Sequence, residues 1–306
     1  MAATEEGWHT AKDGKKLYTK TWKPDGPPLA SLVFIHGFSD HCNTSYGPFF
    51  DKLAARSIQV HSFDQRGWGR SVQKPAEKGL TGPTTQVLAD ITSFIESHLP
   101  AEAPLFLMGH SMGGGEVLQY AARGPPEVRK NIVGYLASAP LVAVADGSKP
   151  LKITVVAGRL AAKLFPHAQM VQKLDGEYLC RDKQVVQDWE NDPLCHNTGT
   201  LEGLAGMLER GDELDTGKVM PEDCKIWLGH GNADRVTSFR ASERFIGRLG
   251  VTDKEFRVYD GCYHVLHAEP GEDRVMFAND VGNWILARAG SQAEPPTEAL
   301  GAKSRL

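Results

Sequence analysis

Apolar and polar positions along the chain fall into two alternating rhythms. Residues 15–23, KKLYTKTWK, switch polar and apolar every second position, the pattern of an edge strand or hairpin partner. LASLVFIHG (29–37) is a short continuous apolar run closed by Gly37, as expected of a strand buried on both faces. YGPFFDKLAARS (46–57) then carries helical spacing, and IQVHSFDQRGWGRS reads as a strand running into a glycine-punctuated loop. In TQVLADITSFIESHL (85–99), Val87, Leu88, Ile91, Phe94, Ile95 and Leu99 form one helical stripe. APLFLMGH predicts a further strand, GGGEVLQYAAR a helix, and NIVGYLASAP (131–140) a strand. Beyond residue 220, CKIWLGHGNAD and EFRVYDGCYH each lead from a strand into a loop, and a helix over about 272–288 closes the series.

Strands alternating with helices predict an α/β protein with a mostly parallel sheet. Between Pro140 and Met220 the rhythm breaks into polar, glycine-bearing segments, read as a mostly helical insertion rather than more sheet. The expected organisation is a first core part (1–140), a helical cap (141–219), a second core part (220–289) and a flexible tail (290–306). Residues 151–165 are apolar over much of a helical circumference. They predict either a helix buried between cap and core or a lid helix touching lipid.

Composition narrows the function classes. A net charge of −4 gives no basic field for nucleic acid. No run of about 18 apolar residues predicts a membrane-spanning helix. The start, MAATEEGWHTAKDG, lacks the apolar stretch of a secretory signal. Five scattered cysteines without a CxxC pair predict neither a disulfide framework nor a zinc site. The last residues, Ser304, Arg305 and Leu306, match the peroxisomal address S-K-L with arginine for lysine. They predict a peroxisomal location and an import receptor as partner, with cytoplasm or a lipid-droplet surface as the alternative.

Gly109-His110-Ser111-Met112-Gly113 is a G-x-S-x-G match between a predicted strand and a predicted helix, the setting of a nucleophile elbow. A phosphate-binding loop is the rival, but no lysine follows the glycines. A serine hydroxyl needs an imidazole to take its proton and a carboxylate to orient that imidazole. In this architecture the order is Ser, Asp or Glu, His, each in a loop after a strand. Position selects His264 among eleven histidines. For the acid, Asp234 is favoured and Asp260 stays open. Charge developing on a carbonyl oxygen calls for two amide donors, for which Met112 and Phe38 are placed. His264, His267 and Glu269 have the residue types of a metal site, but catalysis explains their spacing better, and neither metal nor cofactor is expected.

FIHGFSDH, SFDQRGWGRS, GHSMGGG, GNADRV and YDGCYHVLHAE, in this order, resemble the monoacylglycerol lipase group of the α/β-hydrolase fold, including its fungal members. The resemblance implies a triad of Ser111, Asp234 and His264, oxyanion amides from Phe38 and Met112, and a helical cap over an acyl tunnel. It implies that Asp40 and His267 hold the glycerol end. An arginine that relatives carry just beyond that acid has no counterpart in CNTSY, and Thr237 stands where animal relatives have cysteine. The function so implied is hydrolysis of a lipid ester, most simply a monoacylglycerol, through an acyl-enzyme, with transient membrane contact through the cap. A peroxisomal acyl-thioesterase or specialised-metabolite esterase with the same triad, and a non-catalytic ligand receptor, are the alternatives.

Overall fold

The computed structural model describes residues 1–146, 158 and 160–290. Ten strands are present there: β1 (Ala3–Thr10), β2 (Lys16–Lys23), β3 (Ala30–Ile35), β4 (Ile58–Phe63), β5 (Leu105–His110), β6 (Ile132–Ser138), β7 (Gln169–Val171), β8 (Thr198–Thr200), β9 (Ile226–Gly231) and β10 (Lys254–Tyr259). The helices are α1 (Gly47–Ala54), α2 (Thr84–Glu96), α3 (Met112–Arg123), the short α4 (Pro126–Arg129), α5 (Lys183–Asn191), α6 (Leu201–Asp215), α7 (Phe239–Arg248) and α8 (Glu272–Ala289). Eight strands form one sheet in the order β1-β2-β4-β3-β5-β6-β9-β10. β1, β2 and β4 pair antiparallel, and every pair from β4 onward is parallel.

The central runs are strands because both of their faces are covered. In β3, Leu32 and Phe34 face a core shared with Phe49, Phe50 and Leu53 of α1 and Phe277, Val281 and Trp284 of α8. Val33 and Ile35 face the opposite core, with Val87 and Ile91 of α2 and Val117 and Leu118 of α3. Side chains alternate across a strand, so one continuous apolar run feeds both layers. β2 is the hairpin partner that its alternation predicted, and β1 forms the edge beyond it.

The insertion carries α5 and α6, and to the helical cap that was expected it adds a small sheet. β7 and β8 form a two-stranded antiparallel sheet of their own, and α5 is amphipathic without a fully buried residue. β8 rests on the loop that follows β4: a Cβ on Gly79 would lie 2.3 Å from Thr198 O. α6 falls inside the boundaries expected for the cap, yet it packs against α3 and its Leu214 belongs to the sheet-side core. Of the expected lid helix, the described residues Leu160 and Leu164 are exposed. Residues 151–157 and the tail ending Ser304, Arg305, Leu306 lie outside the described residues. No described helix is long and apolar enough to cross a membrane.

The loops leaving the carboxyl ends of β3, β5, β9 and β10 lie on one edge of the sheet, where open α/β sheets place their ligand sites.

Candidate active site

Ser111 sits between β5 and α3 at φ 55°, ψ −119°. A non-glycine residue in this region costs about 1–3 kcal/mol and persists only where its surroundings over-determine it. Here they do. The Ser111 amide donates to Ser138 O at 2.9 Å, and its carbonyl accepts from Leu141 N at 2.8 Å and Gly115 N at 3.1 Å. A Cβ at Gly109 would stand 2.2 Å from Gly113 O, and one at Gly113 2.3 Å from Ile35 O. The flanking glycines therefore let the elbow close upon itself and upon β3.

The Ser111 hydroxyl lies 2.9 Å from His264 Nε2, and His264 Nδ1 lies 2.8 Å from Asp234 Oδ2. With the Nδ1 proton donated to the carboxylate, Nε2 is left as acceptor for the hydroxyl proton. Asp234 is fully buried, which by itself would raise its carboxyl, but His264 and His230 outweigh burial and hold it well below the usual carboxylate range. Its Oδ1 accepts from Val236 N at 2.7 Å and Thr237 N at 3.0 Å. Oδ2 also faces His230 Nε2 at 3.1 Å and Thr237 Oγ1 at 2.9 Å. Asp260 pairs instead with the side-chain amide of Asn232 at 2.7 Å.

The amides named for the oxyanion flank this serine. Met112 opens α3, so its N–H has no acceptor within the helix. Gly37 and Phe38 run against the nucleophile, with a Cβ at Gly37 placed 3.1 Å from Ser111 Cβ. His36 locks that turn, its Nδ1 donating to Gly37 O at 2.8 Å and its Nε2 accepting from Gln65 N at 2.9 Å.

Two cavities meet at Phe38, Ser111 and Leu174. One, of about 320 Å³, runs under the insertion past Leu141, Leu204, Leu208 and Met207. The other, of about 440 Å³, is lined by Asn43, Thr44, Ser45, His267 and the carboxylates Asp40, Asp188 and Asp192. Among the described residues that line it, Arg274 of α8 is the one cationic side chain besides histidine. Asn43, Thr44 and Ser45 thus occupy the place where the resemblance would have put an arginine. His267 stacks on Tyr46 with ring centroids 4.3 Å apart and has Nε2 3.0 Å from Ser45 Oγ. Burial, then the neighbouring His264, push its pKa down to about 3, so it works as a neutral hydrogen-bonding group.

Asp40 also shapes the cavity wall. It lines the polar cavity, but its Oδ1 accepts from His41 N and Thr44 Oγ1 and its Oδ2 from Tyr46 Oη at 2.5 Å. The carboxylate buckles loop 40–46 while it lines the cavity. Glu269, considered with His264 and His267 for a metal, spends its oxygens on Arg181 and Tyr263 N. Elsewhere among the described residues, His41, Asp192 and Cys195 hold their ligand atoms within 4.8 Å of one another. His41 Nδ1 accepts from Asn43 N, so Nε2 keeps the proton it gives to Asp192, and a hydrogen bond occupies the lone pair a metal would need.

The Hydrolase_4 family, described as "Serine aminopeptidase, S33", matches residues 26–271. The chain belongs to that family. A Schizosaccharomyces pombe protein provisionally assigned as a monoglyceride lipase is 35% identical, covering 88% of this chain and 71% of its own length. The monoacylglycerol lipase of Mycolicibacterium smegmatis is 28% identical over 90% of this chain and 94% of its own. A crystal structure of a soluble variant of Saccharomyces cerevisiae monoglyceride lipase, in complex with a substrate analog, superposes with a TM-score of 0.85 at 27% identity. It covers 94% of this chain and 97% of that one. The α/β-hydrolase fold and the likeness to monoglyceride lipases, fungal ones included, thus hold across nearly the whole chain.

Sequence reasoning passes over His230, which stands four residues before Asp234. It also passes over Arg181 and Trp189, whose partners lie far away along the chain.

Proposed function

We propose that the chain is a carboxylic ester hydrolase that cleaves monoacylglycerol to fatty acid and glycerol. The observation that carries this reading is the meeting of an apolar and a polar cavity at one activated serine. An acyl chain in the apolar arm sets its ester carbonyl beside Ser111 Oγ, with the glycerol in the polar arm. His264 Nε2 takes the hydroxyl proton as Oγ bonds to the carbonyl carbon, and the carbonyl oxygen gathers charge toward the Phe38 and Met112 amides. The protonated imidazole, stabilised by Asp234, returns its proton to the departing alkoxide. Water, deprotonated by the same nitrogen, then releases the fatty acid.

The polar arm also bears on the thioesterase alternative. Three carboxylates against one arginine disfavour the phosphates of an acyl-CoA, and about 440 Å³ suits a small alcohol. The test is kcat/KM on monoacylglycerols, acyl-CoAs and short esters of matched acyl chains. Monoacylglycerol should exceed the matched acyl-CoA by at least tenfold, and the reverse order would overturn the substrate assignment. The intact triad geometry supports turnover over a receptor role, and labelling of Ser111 by a fluorophosphonate probe separates the two.

Two finer readings belong to the same proposal. Leu164, Phe165 and Val171 on the insertion are 75%, 65% and 70% exposed beside Lys163 and Lys173, which supports transient contact with a lipid surface. Co-sedimentation with anionic vesicles should weaken in Leu164→Ser/Phe165→Ser. The sequence of Ser304, Arg305 and Leu306 supports a peroxisomal location. A fluorescent protein fused ahead of the chain should become punctate, and a signal still diffuse under active import would remove that reading.

A further inference from the structure

We propose that Arg181, on the insertion, is a positioning residue for the general base: it holds the loop that carries His264. This rests on the esterase reading above. The His264 loop leaves β10 at Tyr259 and reaches α8 at Glu272 with only a short 3-10 turn, Leu266–Ala268, between them. Its geometry therefore has to be imposed by neighbours. Arg181 supplies a fork. Its Nε donates to Glu269 Oε2 at 2.5 Å, and its Nη2 pairs with Asp273 on the first turn of α8. Glu269 is fully buried, and its second oxygen accepts from Tyr263 N at 2.8 Å, one residue before the base. The guanidinium, the carboxylate and the Tyr263 amide thus form one connected chain ending at the backbone of His264.

Two further contacts tie the same loop to the same segment. Val265 N donates to Leu179 O at 2.8 Å, and Cys180 Sγ lies 3.4 Å from Ala268 O. Residues 262–269 are therefore gripped from the insertion side as well as from the core, where Cys262 and Leu266 are buried and Ala233 N donates to Cys262 O at 3.2 Å. An Arg fork is suited to this because two planar N–H groups fix two carboxylates at once, which a lysine ammonium cannot do with the same geometry. Displacement of a reacting group by about 1 Å costs on the order of 10²-fold in rate.

A cap that only binds acyl chain and a cap that positions the base differ on a substrate too short to touch the insertion. The experiment measures kcat and KM on p-nitrophenyl acetate, with the rate of fluorophosphonate labelling, for wild type, Arg181→Gln, Arg181→Lys, Glu269→Gln and the Arg181→Gln/Glu269→Gln double variant. Glu269→Gln and the double variant remove the buried charge that Arg181→Gln alone would strand. They keep the test open if that single variant folds poorly. Arg181→Gln should lower kcat on the short ester about 10–100-fold with KM within about twofold, and should slow labelling in parallel. Arg181→Lys, which keeps the charge but not the fork, should recover only part of the loss, and the double variant should be no slower than the slower single, as groups acting in one unit are. The proposal is overturned if folded Arg181→Gln or the double variant keeps kcat on the acetate within twofold. A loss confined to long-chain esters, through KM, would overturn it equally. Wild-type turnover and labelling report on the esterase reading by themselves; the ratio of variant to wild type reports on the clamp.

Discussion

Asp234→Asn isolates the electrostatic heart of the site, because an amide has the carboxylate's shape but only one acceptor atom. Oδ1 receives two backbone N–H groups, from Val236 and Thr237, and Oδ2 receives the imidazole protons of His264 and His230. If the amide oxygen stays with the backbone donors, the NH₂ points at His264 Nδ1 and donates to it. The ring then changes tautomer, its proton moves to Nε2, and Nε2 can no longer accept from Ser111. If the amide flips, the NH₂ faces two backbone donors that cannot turn away. Neither orientation restores the base, so kcat should fall by about 10⁴, equivalent to about 5.4 kcal/mol of transition-state stabilisation. The assay is hydrolysis of a chromogenic short-chain ester, with circular dichroism to establish that the fold is retained. Asp260→Asn, at an exposed carboxylate that pairs with Asn232, should stay within about twofold of wild type. The reasoning is refuted if folded Asp234→Asn retains a tenth of wild-type turnover, or if the loss appears in Asp260→Asn instead.

Other perturbations test the scaffold. Gly113→Ala drives a methyl to 2.3 Å from Ile35 O and should reduce ester turnover at least 100-fold. Gly250→Ala, with no atom within 4 Å of the new methyl, should leave it unchanged. Removing Arg210 from its 3.0 Å pair with Glu116, both side chains almost fully buried, should cost about 3–5 kcal/mol by urea unfolding. Arg210→Met/Glu116→Leu should recover at least half of that, since no lone carboxylate then stays buried. His61 is pushed down to about 3 by burial, then by His98 and Lys23, while burial also lowers His9 and His98. A folded-state pKa below the unfolded value of about 6.5 favours the neutral ring in the native state. His61's contribution is therefore complete above pH 6.5 and is lost as pH falls toward 3, at about 2 kcal/mol by pH 5. Tm should drop between pH 7 and 5, less steeply in His61→Gln, and equal slopes would contradict this.

What the sequence revealed and what it hid follow from the range of the interactions involved. β3, β5 and β6 are legible because each is a run buried on both faces, a property carried by the residues themselves. The serine and the acid are legible because each follows such a strand within a few residues, whereas the base is placed by its position after β10, a largely exposed edge strand. β1 escaped notice because ATEEGWHT lies at the sheet edge with most of its side chains exposed, so burial imposes little alternation on it. β7 and β8 are three residues each and find each other across the whole of α5, with no local pattern to announce the pairing. Residue type and position place Asp40 on the cavity, but its bonds from Thr44 and Tyr46 are set by how the loop closes and leave no mark in the sequence. Arg181 and Glu269 are distant in the chain, and an ion pair between two common residues leaves no trace in either neighbourhood.

β6 and β9 hydrogen-bond to each other, Tyr135 beside Ile226, although all of residues 139–225 come between them. The chain thus departs from the sheet and rejoins it at adjoining strands, and the register of the barrel-less core does not depend on how long the excursion is. Doubling such a loop adds only about 0.6 kcal/mol of closure entropy. Substrate range can accordingly be rebuilt by exchanging this one excursion while the elbow and the acid remain as they are. A graft is constrained at a few points: it must refill the place of Leu214 in the sheet-side core and of Arg210 beside Glu116, and whatever replaces residues 179–181 must again hand a forked cation to Glu269 and Asp273 and a carbonyl to Val265.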